Sequence, residues 1–155
     1  MERILFRGQT RRFGEKLMNV AGDPMPSNWV FGGICHGEGD FSIIYGNDDI
    51  ELKKPIEKFS VYSDTVSQYI GKDDKNGNKI FENDIVKVFL GQDTLIGQVV
   101  YHKEACTFLI DFKNEKCIAF IDFYIQEKNG AWVEVIGNIQ DNPELLENKG
   151  DKSNA

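Results

Sequence analysis

Proline is scarce in this chain, at four residues, and cysteine is scarcer still, at three. So few prolines exclude a proline-rich linker or a collagen-like repeat. The thiols, Cys35, Cys106 and Cys117, are odd in number and form no C-x-x-C pair. That pattern excludes a disulfide framework and predicts reduced cysteines in a cytoplasm. Long apolar runs are missing too. The most apolar stretch, Cys117 to Ile125, is nine residues long and is broken by Asp122, too short to span a membrane as a helix. The first residues, Met1 to Arg7, lack the apolar region of a signal peptide, which predicts an intracellular protein. Positive charge is in deficit: 18 basic residues against 25 acidic ones leave a formal charge of −7. Such a balance excludes a protein that wraps nucleic acid by bulk positive charge.

What is present fits a globular chain. Its 155 residues, 41% of them hydrophobic, predict one domain or one domain with a sub-domain. The dominant hydrophobic period is two, so the expected fold class is mainly β with minor α. Asp84–Leu90, Gly97–His102 and Thr107–Phe112 alternate as strands, and Phe108, Ile110 and Phe112 share one face against Thr107, Leu109 and Asp111. Lys113–Lys116 is a polar connection of hairpin length. Cys117–Gln126 is apolar on both faces except at Asp122 and is expected to be a central strand. Asn129-Gly130 then supplies a type I′ turn into a last strand, Trp132–Ile136. Five strands joined by short loops predict an SH3-like barrel over residues 84–137. Asn142 as cap, Pro143 at the first helical position and Glu144 near the positive end of the dipole predict a short helix that docks Leu145 and Leu146.

The first half is less regular. Ile4–Phe6, Trp29–Phe31 and Phe41–Tyr45 read as short strands, separated by a proline-bearing loop from Gly8 to Asn28. The predicted organisation is a β-rich N-terminal sub-domain over 1–62, a barrel with its helix over 63–147, and a frayed tail over 148–155.

Chemistry-bearing patterns are thin. Zinc would recruit Cys35, His36, His102, Cys106 and Cys117, but the adjacent pair Cys35-His36 points to opposite faces of a strand. Asp73-Asp74-Lys75-Asn76-Gly77-Asn78 has a calcium-loop look. With Gly77 at the sixth loop position, however, Lys72 and Asn83 fall where carboxylates are needed. A hairpin turned at Asn76-Gly77 is the expectation instead. Glu82 and Asp84, two apart, could share a strand face in a metal-dependent hydrolase, although no partner carboxylates are identifiable. Neither histidine sits in a nucleophile setting, and no phosphate-binding glycine motif occurs. The first sixteen residues carry five bases against two acids, a local +3, so a phosphate-contacting arm is the third function class.

Two segments are more specific. Gln68-Tyr69-Ile70-Gly71-Lys72 running on through Asp73–Asn78 and Lys79–Val86 resembles the first signature of the YopX family of phage and prophage proteins. Glu134-Val135-Ile136-Gly137-Asn138-Ile139 with Asn142-Pro143-Glu144-Leu145-Leu146 resembles its second. Ile4–Gly8 and Trp29–Gly32 are similar to its amino-terminal elements. Ile70 and Asn83 depart from the threonine and glycine usual there, and asparagine at 83 still permits a positive φ. The resemblance implies a mostly β protein encoded by a phage or prophage, acting in the cytoplasm of the bacterial host, with no known reaction and no cofactor. The expected function is non-enzymatic: binding an unidentified phage or host macromolecule, or self-association into a homo-oligomer, rather than contact with membrane or nucleic acid. Its expected surface is the pair of loops holding Asp73, Asp74, Lys75, Asn76, Gln92 and Asp93, because binding residues favour loops on a rigid scaffold.

Overall fold

Period-two patterning builds two antiparallel sheets in a computed structural model that describes residues 4–11, 28–35, 39–46, 57–113 and 116–147. The chain divides into two compact units, Met1–Tyr69 and Ile70–Ala155. The division falls inside a strand, later than the 62/63 boundary expected from the sequence.

In the first unit, β1 (Phe6–Arg11), β2 (Asn28–Cys35), β3 (Phe41–Gly46), β4 (Glu57–Tyr62) and the start of β5 (Ser67–Asp73) pair in the order β4-β3-β2-β1-β5. Three of these strands match the sequence expectation, and β4 is an addition to it. β1 starts two residues later than expected and extends to Arg11, while residues 12–27 of the expected loop lie outside the described residues. Val30, Ile44 and Val61 form the core, with Phe59 and Val66 against it. The sheet curls tightly enough that a Cβ on Gly8 of β1 would come within 2.8 Å of Val61 on β4, so this site accepts only glycine. Thr65, buried after β4, donates its hydroxyl to the Tyr62 carbonyl at 2.7 Å and accepts the Gln9 N–H at 2.8 Å.

The second unit contains the end of β5, then β6 (Lys79–Phe81), β7 (Asp84–Phe89), β8 (Thr94–His102), β9 (Thr107–Asp111), β10 (Cys117–Ala119), the helix α1 (Phe120–Glu127), β11 (Trp132–Asn138) and a helical turn, α2 (Glu144–Glu147). Its sheet has the order β10-β9-β8-β7-β11. Val86 and Val88 of β7, Val99 of β8, Ile110 of β9 and Val133 of β11 point to one side and bury Ile80, Phe112 and Phe123. Each such side chain contributes about 1.5–3 kcal/mol of burial free energy. Gly97 is required where β8 crosses this core: a Cβ there would fall 2.6 Å from Ile110 Cγ2 and 2.8 Å from the Asp111 carbonyl.

The five strands expected of a barrel are present, but the barrel is not closed. Among the described residues β10 and β11, the two ends of the sheet order, do not pair with each other. The chain passes from one end to the other through α1, which corrects the expected strand at 117–126. Only Cys117–Ala119 pairs with β9; Phe120 begins a helix. Apolar residues on every side cannot separate a buried strand from a helix packed on a core by period alone. The core decides here, because Phe120 and Phe123, three apart on a helix face, reach it together, their rings 6.4 Å apart. Asp122 in the first turn suits the positive end of the helix dipole.

Asn129-Gly130 is corrected in turn. It ends a helix instead of turning a hairpin. Gly130, at φ 90, donates its N–H to the Glu127 carbonyl at 3.1 Å, and Ala131 donates to Gln126 at 3.2 Å, the paired bonds of a Schellman stop. Ala131 then packs on the core. Gly130→Ala places a Cβ in the left-handed region with open space around it, so a stability loss of about 1 kcal/mol is expected from backbone strain alone. Urea unfolding monitored at the tryptophans checks this.

Leu109, expected to face outward and need cover, is 8% exposed. It pairs with Val100 on β8, and α2 lies against that same strand, with Leu145 and Leu146 half-buried. Asn142 does not act as a side-chain cap of α2 as expected. Its Oδ1 accepts the Asn138 N–H at 3.4 Å, an approach that a Cβ on Gly137 would block at 2.5 Å. The expected tail, 148–155, lies outside the described residues. Among the described residues no helix is long and apolar enough to cross a membrane.

Candidate functional site

The turn between β5 and β6 is organised by one carboxylate. Asp74 donates its N–H to the Asn78 carbonyl at 2.7 Å and accepts the Gly77 N–H on its own carbonyl at 3.0 Å, with Gly77 at φ 84. Its side chain is 7% exposed. Oδ1 accepts the N–H groups of Asn76 and Asn78 at 2.8 and 2.9 Å. Oδ2 accepts Val135 N–H at 3.0 Å and Asn78 Nδ2 at 3.2 Å. Burial pushes the carboxyl up, but the N–H groups of Val135, Asn78 and Asn76 together outweigh it and hold Asp74 below its ordinary value.

Val135 belongs to β11, so the turn docks on that strand's outer edge. Lys75 N–H adds a backbone bond to the Val133 carbonyl at 2.9 Å. Lys75 Nζ reaches Glu134 at 2.9 Å and stands 3.7 Å from the centre of the Trp132 ring, and Asn76 Nδ2 reaches Glu134 at 3.3 Å. Bonding to Lys75 holds the Glu134 carboxyl below its ordinary value. An unprotected edge strand invites pairing with other chains; here the turn occupies it. The two signature segments of the sequence therefore fold onto one another.

The other expected loop meets the same rim. Trp132 pairs with Phe89 across β11 and β7, and their rings stack at 5.6 Å and 18°. Phe89 leads into the β7–β8 hairpin, where Gly91 takes φ 97 and Leu90 N–H bonds to Asp93 at 3.3 Å. Gln92 and Asp93 are exposed there. Asp73 is exposed as well, 3.7 Å from Lys79 Nζ. Of the six expected surface residues, Asp74, Lys75 and Asn76 are engaged with β11, Gln92 and Asp93 are exposed on the hairpin that follows Phe89, and Asp73 is exposed beside Lys79.

Glu82 and Asp84 have different surroundings. Asp84, 1% exposed, accepts the Phe81 N–H at 2.8 Å and closes the β6–β7 turn. Asn83 in that turn has φ 67, as its place in the signature implied. It donates its N–H to Val99 at 2.8 Å and accepts Ile139 N–H at 3.1 Å. Burial pushes the Glu82 carboxyl up, against a bond from the Tyr101 N–H. Among the described residues no group of three or more His, Cys, Asp or Glu is placed to hold a metal ion. His102 Nδ1 accepts the Ala105 N–H at 3.2 Å. Cys106 and Cys117 are exposed free thiols, and His36 lies outside the described residues.

One feature escaped sequence reasoning. On the outer side of α1, Ile121, Tyr124 and Ile125 are 72%, 56% and 57% exposed, and Lys128 Nζ stands 4.9 Å over the Tyr124 ring. Their i, i+3, i+4 spacing was available as a signal, but a strand assignment hides it.

Two antiparallel sheets, the second locked at its end strand by a carboxylate-centred turn, define a mainly β protein with minor α. The family model described as YopX protein matches residues 36–147, and the chain belongs to that family. The match covers both signature segments, whereas the amino-terminal likeness at 4–8 and 29–32 lies ahead of it. No curated protein and no solved structure matches the chain.

Proposed function

We propose that this chain is a non-enzymatic, phage- or prophage-encoded module that acts by binding, and that it self-associates through the outer face of α1. The observation that carries this reading is the stripe Ile121, Tyr124 and Ile125 on a helix whose other side is spent on the core. Together these side chains expose on the order of a few hundred Å², the size at which an apolar patch marks an interaction site. An i, i+4 isoleucine pair is self-complementary in an antiparallel array, since a twofold axis sets Ile121 of each copy against Ile125 of the other. The patch is smaller than the ~800 Å² per partner of a stable complex, so the association is weak. The hairpin bearing Gln92 and Asp93 beside the stacked Phe89 and Trp132 is the second surface, through which a phage or host macromolecule is engaged.

Light scattering across a size-exclusion peak tests the self-association. A mass that rises with concentration towards a multiple of 17.6 kDa is expected. The double substitution Ile121→Glu with Ile125→Glu should return it to one chain without lowering the melting temperature, because both side chains already face water. A constant single-chain mass for the unsubstituted protein at about 200 μM would end this reading, since micromolar-range association would be visible there.

A further inference from the structure

The sheet of the first unit has a second face. Strand alternation sets Ser42 and Ile44, 2% and 0% exposed, towards the core, and Phe41 and Tyr45, 47% and 44% exposed, away from it. Besides Cys35, opposite Ile43, register and alternation place nine positions of three strands on this face: Trp29 and Phe31 of β2, which pair with the buried Gln9 and Arg7 of β1, Gly33 of β2, Phe41, Ile43 and Tyr45 of β3, and Lys58, Ser60 and Tyr62 of β4. Gly33, Tyr45 and Lys58 lie in one row. Gly33 has no atom within 4 Å of where a Cβ would stand, so the floor beside the Tyr45 ring is open. Phe41 is seated against Tyr62 with ring centres 5.0 Å apart, and the Arg7 guanidinium lies 4.5 Å over Trp29.

The charge on this face departs from that of the chain. Acids outnumber bases by 25 to 18 in the sequence, yet none of these nine positions holds a carboxylate, and Lys58 is exposed beside Tyr45. β1 itself carries Arg7 and ends on Arg11. Two exposed aromatic rings spaced along one strand, with a lysine beside them and no carboxylate at the nine positions, are the chemistry of a stacking platform for unpaired bases. A carbohydrate would call for carboxylate or amide groups to bond its hydroxyls, and these nine positions hold none.

We propose that the outer face of the first unit binds single-stranded nucleic acid, with bases stacked on Tyr45 and Phe41 and a phosphate beside Lys58. The two rings are four strand residues apart, about 13 Å, so they take separate bases of one strand. Stacking needs little net positive charge, and a duplex, whose bases are already stacked and paired, offers these rings no free base face. The acidic composition excludes wrapping of nucleic acid, not this mode of contact.

Fluorescence anisotropy with the full chain and a labelled thymidine oligomer of about 20 nucleotides tests the site. Binding at low salt is expected, weaker at moderate salt and weaker still for a duplex of equal length. Tyr45→Ala and Phe41→Ala should each lower affinity by about 5- to 150-fold. Tyr45→Leu, which keeps apolar bulk without the ring, should behave like Tyr45→Ala. Lys58→Ala should weaken binding less and flatten its salt dependence. The Ile121→Glu, Ile125→Glu protein should bind as well as the unsubstituted one, which separates this site from self-association through α1. No anisotropy change at low salt, equal affinity for duplex, or full binding by Tyr45→Leu would each overturn the proposal.

Discussion

Asp74→Asn is expected to lower the unfolding free energy of the second unit by about 3 kcal/mol at neutral pH. Each carboxylate oxygen of Asp74 accepts from two donors. An asparagine offers one oxygen and one NH2 group, so in either orientation the NH2 faces N–H donors and leaves them unpaired. Three of those donors are backbone groups, and one of them ties the turn to β11. The effect carries a pH signature. Because its bonds hold the Asp74 carboxyl below its ordinary 3.8, the native state favours the ionised form. The stabilisation is therefore full above the unfolded value and is lost as pH falls below 3.8 through the folded one. Urea unfolding of both proteins should show a wide gap at pH 7 that narrows towards pH 3. A gap below about 0.5 kcal/mol at pH 7, the ordinary range of a surface change, would show that the turn does not depend on this carboxylate.

A second large effect is expected at α1, and it comes as a contrast. Phe123→Ala should cost about 4 kcal/mol, because Phe123 is fully buried among Val86, Val99, Ile110 and Val133 and its removal leaves a cavity. Ile121→Ala, two residues away, should cost no more than about 0.5 kcal/mol, since Ile121 is 72% exposed. In a strand those two residues would share a face and lose stability together. Chemical denaturation of the two variants side by side separates helix from strand. Equal losses would return this segment to the sheet.

The Asp74 turn and α1 differ in how far they could be read in advance. Asn76-Gly77 needs a positive φ and supplies the residue for it, so the turn was legible from two neighbouring letters. Asn83 was legible for the same reason. The partner of Asp74 was not, because Val135 is 61 residues away and a backbone N–H has no side-chain identity to recognise. Counting Asp74 among surface loop residues followed from its neighbours, whose charges are exposed; its own burial follows from a strand that only the folded chain brings alongside. The helix was hidden for another reason. Cys117 to Ile125 satisfies both periods, and the only local hints, Asp122 and the later Gly130, fit either a helix or a turn between strands.

Taken alone, the amino-acid sequence determined the mainly β class, the β7, β8, β9 and β11 strands, the turns at Asn76-Gly77 and Asn83, and the likeness to the YopX family. The class, strands and turns rest on interactions within a few residues or on a repeating period, and the family likeness rests on the two signature segments. Tertiary structure alone decided that α1 joins the ends of an open sheet, that Leu109 is covered within its own chain, that the two signatures meet at Asp74 and Val135, and that Ile121, Tyr124 and Ile125 remain outside. Each of these depends on which distant surface a residue meets. That is set by packing many elements together, where the burial of Phe123 outweighs any local preference for strand.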